Sequence, residues 1–211
     1  MSVGRIIIGD DCVREGADWL ARHDRHLAAA LQETGPLPLR LRPDGFAQLL
    51  NAIVSQQVSV ASASAIWARM QNAGLTDPAN VRDTDDEALR VVGLSRQKMR
   101  YARALAAADI DYTALRSAPS QDVIATLMQV PGIGAWTAEI YAMFSLGRAD
   151  VFAPGDLALQ EAARILYELP DRPKDRALRE MAEAWSPWRS VAARILWAYY
   201  RVATSNKGLS D

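Results

Sequence analysis

The sequence is poor in the side chains that build disulfides and metal centres. Its 211 residues include one cysteine, Cys12, and two histidines, His23 and His26. A lone cysteine cannot form an internal disulfide, and zinc and iron–sulfur sites take their ligands in sets. The histidines lie among charged residues without further ligands to complete a site, so we expect both to be solvent-exposed.

Net charge is also nearly absent, because 24 lysines and arginines are balanced by 25 aspartates and glutamates. A nucleic-acid partner would therefore have to be bound by local positive charge. Apolar runs are short: residues 6–8 are followed by acidic residues, and polar side chains interrupt the uncharged stretch 45–68 around Gln56. This pattern argues against a signal peptide and a membrane span. We expect a cytoplasmic protein.

Apolar residues recur at helical spacing along most of the chain, and no alternation of period two persists. This pattern predicts an all-α protein of about ten helices joined by short loops. The first helix is expected to run from Asp11 to about Thr34, followed by an extended, proline-containing linker to Arg42. The uncharged stretch 45–68 is expected to form two buried helices joined by a polar turn.

A turn at residues 131–134, Pro-Gly-Ile-Gly, joins two apolar helical segments. Both glycines, Gly132 and Gly134, can adopt positive φ and let another backbone approach closely. The N–H groups of the following helix would then face outward, with Thr137 adding a hydroxyl donor. A helix N-terminus is suited to bind an anion such as a DNA phosphate. Taken alone, the same pattern is also typical of a plain glycine-capped turn.

Backbone carbonyls on the inner side of this turn offer oxygen ligands. Those of Met128, Val130 and Ile133 are expected to hold a monovalent cation, Na⁺ or K⁺, that would help to neutralise the phosphate. No other cofactor is expected.

An acidic residue, Asp156, follows Pro154 and Gly155 at the apparent start of another helix. Its separation from Gly134 leaves room for one helix and a returning loop. Asp is also a common helix N-cap, and the two interpretations are compatible, because a capping carboxylate has a fixed orientation.

In this order the features resemble the helix–hairpin–helix DNA glycosylases, and within them the 3-methyladenine DNA glycosylase II family. The resemblance is carried by VPGIGAWTA (130–138), DVFAPGD (150–156) and WSPWRS (185–190), with IVSQQVS (53–59) and GLSRQK (93–98) matching in kind. It implies a two-lobed helical bundle with the active site in a cleft between the lobes. It also implies one glycosylase domain over 1–211, with an N-terminal helix and linker (1–40) and a first lobe (41–116). The second lobe (117–211) would carry the hairpin and the catalytic acid, and the N-terminal helix would pack there.

The resemblance also implies roles for single residues. It makes Asp156 catalytic and gives phosphate contacts to Gly132, Gly134 and Thr137. Some relatives carry a lysine two positions after the second hairpin glycine, which attacks the sugar and supports strand cleavage. Trp136 stands there in this chain and cannot form a Schiff base. We therefore expect an intact abasic site as the product.

An enzyme of this kind must flip its target base out of the duplex and fill the gap. Relatives present the gap-filling residue from the polar turn that here contains Gln57. Since an alkylated purine is cationic, Trp136, Tyr141 and Trp188 are candidates to stack on it. Core packing is the alternative for each of the three aromatic residues.

Positive charge is concentrated at the start of the predicted helix after Ser95. Arg96 and Lys98 are candidates for phosphate contacts, with a solvated helix face as the alternative. Arg189 is expected either to contact phosphate or to pair with an acid. The other tryptophans are assigned to the core: Trp67, Trp185 and Trp197.

The expected function is that of a DNA-3-methyladenine glycosylase II acting as a monomer on alkylated purines in double-stranded DNA. One alternative is a helix–hairpin–helix module that only binds DNA. Another is a related glycosylase for oxidised or deaminated bases. Those neutral bases need more activation as leaving groups, and the only other acid considered, Glu139, is expected on a helix surface.

Overall fold

The computed structural model describes residues 3–207, and its regular secondary structure is almost entirely helical. Within these residues there are thirteen α-helices and one short 3₁₀-helix, and one antiparallel β-bridge joins Ile6 to Arg148. The helices are α1 Asp10–His23, α2 Arg25–Thr34, α3 Phe46–Val54, α4 Val60–Asn72, α5 Pro78–Asp83, α6 Asp86–Val91, α7 Arg96–Ala107, α8 Tyr112–Ser117, α9 Ser120–Met128, α10 Ala135–Phe144, α11 Leu157–Leu166, α12 Asp175–Met181 and α13 Arg189–Lys207, with the 3₁₀-helix at Ala182–Trp185. The all-α prediction is confirmed.

The chain divides into two compact units. A terminal unit combines the residues up to Leu41 with those from Ala142 onward, and a central unit runs from Arg42 to Tyr141. The second boundary therefore falls inside α10 rather than at 116–117, where the sequence had suggested it. As a result the hairpin turn belongs to the central unit and Asp156 to the terminal unit.

The terminal unit is built around α13, against which α1, α2 and α11 pack. Gly16 allows the close approach of α1, since a Cβ added there would lie 2.7 Å from the side chains of Trp188 and Val191. The predicted single helix from Asp11 to Thr34 is wrong, because the helix is interrupted at Asp24. That residue adopts an extended conformation, and its carboxylate accepts the N–H groups of His26 and Leu27, which starts α2.

The two histidines differ in their surroundings. His23 is exposed as expected, whereas His26 is half-buried, with its ring centroid 4.8 Å from that of Tyr167. Among the described residues, no group of histidine, cysteine, aspartate and glutamate side chains is arranged to hold a metal ion.

The central unit contains α3 and α4, the pair of helices predicted for the uncharged stretch, and α7 packs against α3, α5 and α6. Ser95 caps α7 by accepting the N–H of Lys98. In the part of the chain that the structure describes, no helix is both long and apolar enough to cross a membrane.

Candidate active site and DNA-binding groove

Asp156 starts α11 as its N-cap. Its Oδ1 accepts the N–H of Ala158 at 2.9 Å and that of Leu159 at 3.1 Å. These donors fix the orientation of the carboxylate, and the N-terminal end of the helix favours a negative charge there. The predicted cap is present, and the carboxylate is only partly buried.

Trp197 holds the same oxygen from a different helix. Its indole Nε1 donates to Asp156 Oδ1 at 3.2 Å. The ring is half-buried, with its centroid 5.7 Å from that of Phe144, and the Arg40 guanidinium carbon is 6.0 Å from the ring. The assignment of Trp197 to the core is therefore incomplete, because its polar edge is part of the Asp156 site.

The loop that leads into Asp156 is anchored by Asp150. Arg189 donates to this carboxylate through Nε and Nη2, at 2.7 and 3.0 Å, and the Ser186 hydroxyl adds a bond of 2.9 Å. Between the two alternatives for Arg189, the structure thus selects pairing with an acid. The segment 151–154 that follows is buried.

In the hairpin turn, residues 131–134, the two glycines differ. Gly132 has φ of +94°, and a Cβ added there would lie 2.5 Å from the ring of Tyr101. Glycine is required at this position for two independent reasons. Gly134 does not have positive φ, and a Cβ there would meet nothing within 4 Å. Of the two glycines that can adopt positive φ, only Gly132 does so.

An open groove in the central unit brings together three segments that are far apart in sequence. We call it the hairpin groove, and its lining includes Gln56, Gln57, Ser95, Lys98, Gly132 and Gly134. Four of the predicted DNA-binding residues are among them. Gln57 is exposed and has φ of +55°, which is uncommon for a residue with a side chain.

Gln56 is a further residue of this groove, and no role is predicted for it from the sequence. Its side-chain Nε2 donates to the Gly132 carbonyl at 2.9 Å, which joins the turn after α3 to the hairpin turn. Sequence spacing gives no signal for such a contact, because the two residues lie on separate elements.

Lys98 reaches the groove wall but is only 9% exposed. Its Nζ donates to the Val54 carbonyl, at the C-terminal end of α3, over 2.6 Å, and burial lowers the pKa of its ammonium group. Lys98 therefore caps α3, which contradicts the alternative of a solvated helix face. A phosphate contact of Lys98 stays a prediction. Arg96 is exposed but lines a different depression, together with Arg100 and the acidic residues of α6.

Two polar residues of α10 are more buried than expected. Thr137 is 7% exposed and Glu139 only 3%. The surface position expected for Glu139 is wrong. The phosphate contacts expected of Thr137 and of the N–H groups at the start of α10 stay predictions.

The three candidate stacking residues lie in different surroundings. Tyr141 is buried, its hydroxyl accepts the Gly45 N–H at 2.8 Å, and burial raises its pKa to about 12. Trp188 is buried against Gly16 of α1. Core packing therefore describes both, whereas Trp136 is 46% exposed.

The carbonyls expected to hold a cation are close in sequence to the hairpin turn. That of Val130 accepts the Ile133 N–H at 3.0 Å, which closes the turn. A carbonyl oxygen has two lone pairs, so this bond leaves an acceptor site on Val130. A monovalent cation at Met128, Val130 and Ile133 stays a prediction.

The fold and the turn between α9 and α10 define the class as an all-α helix–hairpin–helix protein. The sequence model of the HhH-GPD superfamily of base excision DNA repair proteins matches residues 50–187. The chain belongs to this family. The predicted family is thereby confirmed.

Relatives and solved structures agree with this assignment. DNA-3-methyladenine glycosylase 1 of Schizosaccharomyces pombe is 30% identical over 175 residues, covering 79% of this chain and 77% of the relative. A DNA-3-methyladenine glycosidase from Bacillus halodurans superposes with a TM-score of 0.79 at 36% identity, over 88% of each chain. The S. pombe 3-methyladenine DNA glycosylase in complex with abasic DNA superposes with a TM-score of 0.75 at 29% identity, over 87% of this chain and 95% of that one.

Proposed function

We propose that this protein is a monofunctional DNA glycosylase. It hydrolyses the N-glycosidic bond of alkylated purines, such as 3-methyladenine and 7-methylguanine, in double-stranded DNA and so initiates base excision repair. The observation that carries the proposal is the partly exposed carboxylate of Asp156, oriented by two backbone donors and one indole donor. The protein acts as a monomer on cytoplasmic, nucleoid DNA and requires no cofactor.

The chemistry follows from the charge of the lesion. Alkylation at a ring nitrogen makes the purine cationic, so the bond to C1′ breaks with its electron pair moving to the base and neutralising it. The sugar is left as an oxocarbenium ion. The Asp156 carboxylate stabilises that cation and directs water to C1′. As the new C–O bond forms, the water gives up a proton to this carboxylate, which then releases it to solvent.

Two features support hydrolysis without strand cleavage and a preference for charged lesions. Trp136 offers no amine that could form a Schiff base with the sugar, and its exposed ring is suited to stack on a cationic base. Glu139 is buried in α10 and is therefore poorly placed to protonate a neutral leaving group. A glycosylase for oxidised or deaminated bases is thus the weaker alternative.

The test is release of free bases from methylated duplex DNA by wild-type protein and by Asp156→Asn. Asn caps helices about as well as Asp, so the variant should remain folded and bind DNA while losing at least about 100-fold in turnover. The product strand should remain uncut until treated with alkali. Wild-type-like turnover by the variant would remove Asp156 from the mechanism. Binding without base release by the wild-type protein would favour the DNA-binding module.

A further inference from the structure

We infer that Gln56 is a positioning residue that fixes the gap-filling turn to the phosphate-binding hairpin. In this arrangement the DNA strand bound by the hairpin and the Gln57 side chain that fills the gap stay at a constant distance while a base is flipped. The inference rests on the proposed function and adds to it a residue with no contact of its own to the reacting atoms.

The direct evidence is the hydrogen bond from Gln56 Nε2 to the Gly132 carbonyl, which measures 2.9 Å. It crosses the hairpin groove between two turns that are 76 residues apart in sequence. Gln56 is half-buried whereas its neighbour Gln57 is exposed. One glutamine thus holds the turn in place while the next projects from it.

Both ends of this bond are held by α7. At one end, Gly132 packs against the ring of Tyr101, whose hydroxyl accepts Gln97 Nε2 at 2.7 Å. At the other end, Lys98 Nζ holds the Val54 carbonyl, where α3 runs into the polar turn. Helix α7 therefore contacts both the polar turn and the hairpin turn, and the Gln56 bond links these two turns directly to each other.

The polar turn needs such a support. Gln57 has φ of +55°, and conformations of this kind persist only where surrounding contacts determine them. Inside the turn, the Gln56 N–H donates to the Ile53 carbonyl at 3.2 Å, so backbone and side chain of the same residue fix it on two sides. Without the side-chain bond, we expect Gln57 to sample several positions relative to the hairpin.

This role predicts a defect that depends on base pairing. In duplex DNA the gap left by a flipped base must be filled, whereas a single strand leaves no such gap. Gln56→Met keeps the length of the side chain and removes the N–H donor. It should lower kcat/KM on alkylated duplex DNA about tenfold, as expected for one lost hydrogen bond, and leave the value on single-stranded DNA unchanged.

A double-mutant cycle identifies the partner. If Gln56 acts through Gln57, the variant Gln56→Met/Gln57→Ala should be no worse on duplex DNA than Gln57→Ala alone. Gln71→Met, the same replacement at an exposed position of α4, serves as the control and should match the wild type. Gln56→Leu, which also lacks the donor and adds no charge, should reproduce the effect if Gln56→Met unfolds.

A second measurement does not depend on release of a base. 2-Aminopurine placed beside an uncleavable abasic analogue reports unstacking, and its fluorescence with Gln56→Met should fall toward the Gln57→Ala value. Equal losses on single and double strands, or multiplicative losses in the double variant, would overturn the inference. Failure of the proposed function looks different, since the wild-type protein would then release no base from any substrate.

Discussion

Trp197 Nε1 donates a hydrogen bond to Oδ1 of Asp156 at 3.2 Å, so the carboxylate that caps α11 is also held from α13. Removal of this donor should displace the carboxylate without unfolding the helix. Because a small misplacement of a reacting group costs much in rate, Trp197→Phe should lower kcat about tenfold with little change in KM.

Trp185→Phe is the matched control for that prediction. Trp185 Nε1 donates to Asp24, at 3.3 Å, and not to Asp156. This control should lower the melting temperature and leave kcat unchanged. An unaltered kcat in Trp197→Phe would mean that the indole donor is not needed to orient Asp156.

Gly132 should tolerate no side chain. A methyl group would face both the strain of φ at +94° and the ring of Tyr101. We expect Gly132→Ala to lower the free energy of unfolding by about 1–3 kcal/mol and to weaken duplex binding. Chemical denaturation and fluorescence anisotropy measure the two effects.

The comparison with Gly134→Ala distinguishes the effect of backbone strain from the effect of contact with DNA. A Cβ at Gly134 meets open space at an ordinary φ, so stability should not fall. If DNA binding nevertheless weakens, the phosphate comes close to the backbone there. A loss of stability as large as that of Gly132→Ala would contradict the described turn.

Tyr141 should make the protein sensitive to alkali. Its pKa rises from 10.0 to about 12 on folding, because the phenol is buried. Between these values the unfolded chain ionises while the folded protein keeps its proton, so stability falls as the pH rises. Below pH 10 the contribution is fully present.

Tyr141→Phe should flatten that part of the pH profile, which denaturation curves between pH 9 and about 12 can measure. At neutral pH the variant should also lose about 1–3 kcal/mol, because the Gly45 N–H loses its acceptor. Parallel pH profiles for wild type and variant would show that Tyr141 does not govern the alkaline limit.

The features that could be predicted from the sequence are those formed by residues close together in the chain. The hairpin turn, the helices on both sides of the Gln57 turn and the Asp156 cap each depend on neighbouring residues of a few fixed types. Residue patterns at that range determine turns and caps directly. The order of these motifs then identified the family.

The features that could not be predicted from the sequence depend on contacts between residues far apart in the chain. Asp24 stands within an apolar periodic segment, and only the structure shows that it ends one helix and starts another. A lysine and a glutamate on helices usually face solvent, yet Lys98 and Glu139 are buried. The bond of Trp197 to Asp156 joins two helices whose registers the sequence does not relate.

The division of the chain has a consequence for its synthesis. Helices α1 and α2 are translated well before α13, on which they pack. Residues 42–141 form a continuous unit that can fold as soon as it emerges. The apolar faces of α1 and α2 therefore stay without this packing partner until α13 has been translated, whereas the central unit has all of its own residues much earlier.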